Sequence, residues 1–187
     1  MIAYHGTVVG GLHTLEPFFN PLGDLKYPVI YLSTNKTLSL FYIWNVWNGK
    51  YKWMTFGFRD DILVYNESFK NGLFEFYNGV KGYIYTCDDN FEIDENSTKY
   101  AVISRKSVKI QDIDCVENAY ERILQYENEG QVIINRYENL SGEQKSKDRN
   151  MVLTLIKRLD LLKGEHPMSK FVSEKFPEYW NEARRTE

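Results

Sequence analysis

The chain is poor in the residues that usually announce a chemistry. Its 187 residues include two cysteines and three histidines. Cys87 and Cys115 have neither the paired spacing of a zinc site nor the number a disulfide framework needs, so both are expected as free, buried thiols in a reducing compartment. No HExxH, CxxC or clustered His and Asp pattern occurs, which argues against a protein-built metal site. "GTVVGG" lacks the Lys-Ser/Thr ending of a P-loop, no GxGxxG follows a strand, and no GxSxG is present, so the common nucleotide and hydrolase signatures are absent. There is no charged-then-apolar leader and no apolar run of about 18 residues, so neither export nor a membrane span is expected, and a cytoplasmic location follows. Positive charge is not in excess either. A net charge of -3 gives no general attraction to a polyanion, and bulk nucleic-acid binding is not expected.

What the chain does have is aromatic rings, unevenly spread. The first 113 residues hold 22 of the 29 aromatics but only 23 of the 49 charged residues, a contrast that predicts a strand-rich front and a helical back. In the front, β-prone runs at 2–7, 28–33, 52–58, 62–65, 82–87, 99–104 and 107–111 alternate with Gly, Pro, Asn and Asp. "GYIYTC" alternates aromatic and aliphatic positions too densely for an exposed edge strand. "TNKTLSLFYIWNVWNG" reads as a helix capped by Thr34 or Asn35 and ended by Gly49, apolar nearly all round and therefore buried against a sheet.

The back shows three amphipathic stripes. The first is Val116, Tyr120, Ile123 and Leu124; the second Val152, Leu155, Ile156, Leu159 and Leu162; the third Val172, Phe176, Tyr179, Trp180 and Ala183, divided at Pro177. "QVIINRY" between the first two is a short strand, and "LSGEQKSKDRN" is the linker candidate. The expected class is α+β, with residues 1–113 as one domain and 114–187 as a helical extension packed on it.

Two short stretches carry chemistry. In "AYHGT" a strand ends with His5 followed by Gly6 and Thr7. An imidazole there can be held rigidly and donate a hydrogen bond to a ligand hydroxyl, and a glycine beside it lets backbone approach a planar ligand. In "VIYLST", Tyr31 offers a flat face on which an aromatic ring can stack. Together these suit a carboxamide-bearing ring joined to a sugar.

That combination resembles the ADP-ribosyltransferase superfamily, in the branch with a His-Tyr-acidic signature, and within it the rifampin ADP-ribosyltransferases most. His5-Gly6-Thr7 matches the first element. Tyr31, leading into a helix that carries Ser39 and then Tyr42, matches the second. The acidic loop "DDNFEIDEN" stands where the third residue is supplied, with Asp94 nearest the expected position and Glu92 second. The resemblance covers residues 2–113. It departs from the polymerase pattern, in which a glutamate precedes a late tyrosine; here the pair is Lys99-Tyr100.

The resemblance implies a split β-sheet with a buried helix, NAD as substrate rather than resident cofactor, and no metal. It implies that His5 hydrogen-bonds a ribose hydroxyl, Gly6 holds the carboxamide, Tyr31 and Tyr42 sandwich the nicotinamide, and a carboxylate faces the sugar. ADP-ribose would pass to an acceptor, protein or small molecule, that the sequence does not name. The helical back would cover the acceptor side, bind a partner, or meet an antitoxin. The alternative is a non-catalytic nucleotide- or protein-binding module on the same fold. RNA 2′-phosphotransferase chemistry, which needs several phosphate-holding arginines, is disfavoured because the front has only Arg59 and Arg105.

Overall fold

A computed structural model describes residues 1–19, 25–44, 54–95 and 97–186. In chain order its elements are β1 (Ile2–Thr7), β2 (Thr14–Leu15), β3 (Ile30–Ser33), α1 (Lys36–Leu40), β4 (Met54–Arg59), β5 (Ile62–Glu67), α2 (Gly72–Tyr77) and β6 (Gly82–Asp88). They continue with β7 (Glu92–Ile93), β8 (Ala101–Ser104), β9 (Val108–Val116), α3 (Ala119–Asn128), β10 (Val132–Asn135), α4 (Gly142–Arg158), α5 (Met168–Lys175) and α6 (Pro177–Thr186). The class is α+β, as expected. No helix among the described residues is long and apolar enough to cross a membrane.

The chain forms two compact units, Met1–Asn45 with Tyr77–Val132, and Val46–Phe76 with Ile133–Glu187. Residues 54–76, grouped with the front by composition, thus fall with the C-terminal helices. Residues 114–132, grouped with the back, belong with the N-terminal strands.

The first unit is built on a seven-stranded antiparallel sheet in the order β2-β9-β6-β1-β3-β8-β7. Strand alternation turns Ala3, Ile30, Leu32, Tyr85, Cys87 and Val102 into one continuous buried cluster. β6 lies inside the sheet between β1 and β9, and Ile84, Tyr85 and Cys87 are fully buried, in keeping with the dense pattern of "GYIYTC". α1 packs against β1, β3 and β6, and α3 packs on α1.

Three local expectations are corrected in this unit. The helix expected from residue 34 to Gly49 ends at Leu40: Tyr42 N bonds Ser39 O and Ile43 N bonds Leu40 O, tight three-residue closures that end the spiral. Residues 45–49 lie outside the described residues. Val116 is not on a helix face but ends β9, opposite Gly82. The strand continues past 111 because a bulge at Thr86 and Cys87 absorbs one residue and keeps the register. α3 then starts behind Asn118, whose side chain caps Tyr120 N. Cys115, expected buried, is exposed; Cys87 is buried, and burial pushes its thiol up to about 11.

The second unit holds a three-stranded sheet, β10-β5-β4. β10 falls within "QVIINRY", as expected. Buried Glu67 accepts hydrogen bonds from Leu73 N at 2.9 Å and Tyr137 N at 3.1 Å, so its charge is met by backbone dipoles. Phe69, Phe76, Phe171 and Phe176 pack edge-on or tilted around one another. α6 packs on both α4 and α5, and Pro177 opens α6 as its first residue. The segment 140–150, expected as a linker, is instead the start of the 17-residue α4. Ser141 and Gln144 form a reciprocal capping box there, and the polar run after it mixes exposed Ser146 and Lys147 with buried Asp148. Ser141→Ala, which deletes the cap without touching the core, is expected to lower stability by about 1 kcal/mol in denaturant titration.

Candidate functional site

The site grows from a fork in the first unit's sheet. β1 stays paired with β6 along its whole length, from Ile2 opposite Asp88 to Thr7 opposite Tyr83. On its other side it pairs with β3 at Tyr4 and Ser33. Beyond that point a side chain takes over the ladder: His5 Nδ1 lies 2.8 Å from the Tyr31 carbonyl oxygen. A carbonyl only accepts, so Nδ1 carries the proton and, in the neutral ring, Nε2 is left as an acceptor. Burial holds the imidazole below its ordinary value of 6.5, a larger effect than the opposing bond to Tyr31. The ring is therefore neutral at pH 7. With Nδ1 engaged, a hydroxyl meeting Nε2 has to donate to it, whereas the expectation from sequence is that His5 donates.

A crevice of about 490 Å³ opens at this fork, within the usual range for a small-molecule site. His5, Gly6, Thr7, Tyr31, Ser39, Tyr42 and Asp94 all line it. Glu92 does not: it sits on β7 opposite Ile103, exposed, with Arg105 Nη2 at 3.2 Å from its carboxylate. Of the two acidic candidates the fold thus brings Asp94 to the crevice. Asp94 N donates to Ala101 O and Ser97 N donates to Asp94 O, each at 3.1 Å, a tight turn that fixes where the half-buried side chain leaves the backbone.

Gly6 forms the floor. A Cβ built at this position would lie 1.8 Å from Ser39 O, so only hydrogen fits where α1 crosses β1. Ser39 is buried, and its hydroxyl donates to Lys36 O at 2.7 Å, which leaves its oxygen as an acceptor. Tyr42 is 52 % exposed at the crevice wall, so it is not the core residue that its apolar neighbours suggest.

Sequence reasoning missed Phe18. It bridges Val29 through two backbone hydrogen bonds of 3.1 Å, and its ring meets that of Tyr31 edge-on with centroids 6.1 Å apart. No periodic pattern marks it, because the bridge is isolated. Ser33, two residues from Tyr31 on the same strand face, was readable from strand alternation alone. Among the described residues no group of three or more His, Cys, Asp or Glu is placed to hold a metal ion. Compared with known proteins, the chain matches no family model, no curated protein and no solved structure.

Two outcomes follow. Gly6→Ala forces α1 off the sheet and is expected to lower stability by roughly 1–3 kcal/mol, read as a lower denaturant midpoint. His5 favours the neutral form in the folded state, so the unfolded chain takes up its proton first as the pH falls through 6.5. The stability His5 contributes is complete above 6.5 and is lost as the pH falls through its lower folded value. Thermal melts of wild type and His5→Asn are expected to differ in pH dependence only below 6.5; identical slopes there would contradict a neutral buried ring.

Proposed function

We propose that the crevice binds NAD and that the protein is an ADP-ribosyltransferase-like enzyme, releasing nicotinamide and passing ADP-ribose to an acceptor. The observation that carries this reading is the convergence of His5 and Tyr31, 26 residues apart, on one crevice that also holds Gly6, Ser39, Tyr42 and Asp94. The proposed fold is correspondingly ADP-ribosyltransferase-like, with β1 and β3 as the split in the sheet.

In this reading nicotinamide stacks on Tyr31, and Tyr42 covers its other face from the exposed wall. The Gly6 backbone approaches the carboxamide closely because no Cβ intervenes. His5 Nε2 accepts a hydrogen bond from a ribose hydroxyl. The glycosidic C–N bond breaks with its electron pair going to the nicotinamide nitrogen, and positive charge grows on the ribose carbon and ring oxygen. The Asp94 carboxylate stabilises that charge electrostatically. An acceptor nucleophile then bonds to the ribose carbon and gives up its proton to solvent or to Asp94. Rate enhancement comes from positioning and fixed charge, without a covalent enzyme intermediate.

A non-catalytic module is the second reading, favoured by one observation: Lys99 stands before Tyr100 where the polymerase pattern has an acid. One assay separates the two. Nicotinamide release from NAD by wild type is expected to fall on the order of 10²- to 10³-fold in Asp94→Asn and to stay within about twofold in Glu92→Gln. NAD binding without release supports the module, and equal activity in wild type, His5→Ala and Asp94→Asn removes the site as drawn.

A further inference from the structure

The helix that closes the crevice is only five residues long, Lys36–Leu40, too short to hold its own shape in water. Its orientation must come from what it touches. One contact is with Gly6, where Ser39 O meets bare backbone. Besides the packing of buried Leu38 and Leu40 against the sheet, another lies two strands away. Gly6 pairs with Ile84, and Ile84 pairs with Asp114, so Gly6, Ile84 and Asp114 form one row across β1, β6 and β9. Lys36, the first residue of α1, places its Nζ 2.7 Å from the Asp114 carboxylate. α1 therefore spans this row, uncharged at the Gly6 end and ion-paired at the other.

Asp114 is itself fixed. Arg122, from α3, donates through one guanidinium nitrogen to both carboxylate oxygens at 3.1 Å and through another to Cys115 O at 3.3 Å. Asp114 and Arg122 are each about one-quarter exposed, so the pair is screened less than a surface pair and its geometry is held from three elements. The two positive groups also hold the Asp114 carboxyl below the usual carboxylate range against the opposing effect of burial.

We infer that Lys36, Asp114 and Arg122 are positioning residues: together they seat α1 on the sheet and so set where Ser39 and Tyr42 stand in the crevice. None of the three lines the crevice. The consequence for NAD rests on the function proposed above; the consequence for α1 does not.

The experiment compares the wild type with Lys36→Met, Asp114→Asn and Lys36→Arg, using amide hydrogen exchange and titration with NAD. Exchange at Phe41, Tyr42 and Ile43, whose amides bond to the last turn of α1, is expected to rise about tenfold in Lys36→Met and Asp114→Asn. It is expected to stay near wild type in Lys36→Arg, with β1 and β6 amides unchanged in all variants. The dissociation constant for NAD rises in parallel, on the order of tenfold, without any lost contact to the ligand. Unchanged exchange at 41–43 in Lys36→Met, or loosening spread evenly over the sheet, overturns the inference. If Asp114→Asn does not fold, Lys36→Met, which removes only the more exposed partner, decides it. A wild type that does not bind NAD removes the functional reading, while the exchange result still judges the role of the three residues.

Discussion

Where β1 and β3 stop pairing, a backbone carbonyl that would have been met by the neighbouring strand needs another donor. His5 supplies it. The bond from its Nδ1 to Tyr31 O lets the strands part without stranding a polar group, which would otherwise carry a desolvation penalty of about 1–3 kcal/mol. The same bond fixes the tautomer, turns Nε2 into an acceptor and keeps the ring beside Tyr31. A crevice between two strands of one sheet follows from this substitution of a side chain for a ladder, and so does the reason that a histidine stands in "AYHGT".

Gly6 and α1 complete the arrangement by a different physical route. The helix carbonyl of Ser39 approaches β1 more closely than any side chain allows, so the floor of the crevice is backbone against backbone. Close approach of this kind leaves no tolerance for rotation of the helix, and the row from Gly6 through Ile84 to Asp114 gives the helix a second, charged footing. In the proposed role of the ion pair, it and the neutral contact at Gly6 join the packing of buried Leu38 and Leu40 in seating α1 on the sheet.

Much of this was legible in the sequence, for reasons that differ by residue. The β-prone run at 2–7 is β1 with the same bounds, and "GYIYTC" reads as an interior strand because both of its faces are apolar. Asn35 as the cap of α1 follows from its side-chain chemistry. Other features were hidden. The length of β9 was masked by Asp112 and Asp114, which look like a loop until Asp114 is seen to meet Lys36 and Arg122. Charge-rich "LSGEQKSKDRN" reads as a linker although Ser141 and Gln144 spell a helix start. Phe18 reaches the crevice through one isolated bridge, and no local pattern encodes a contact between positions eleven apart in the sequence. The resemblance ranks Asp94 ahead of Glu92, but which one meets the crevice depends on how two-residue β7 ends.

The central claim is that the His5 imidazole is neutral, carries its proton on Nδ1 and bridges the fork to Tyr31. Nitrogen NMR of histidine-labelled protein at pH 7 reads this directly. On this claim, a protonated Nδ1 and an unprotonated Nε2 are expected for His5 at pH 7, with a titration midpoint below 6.5. A proton on Nε2 with Nδ1 bare, or an imidazolium at pH 7, would contradict it.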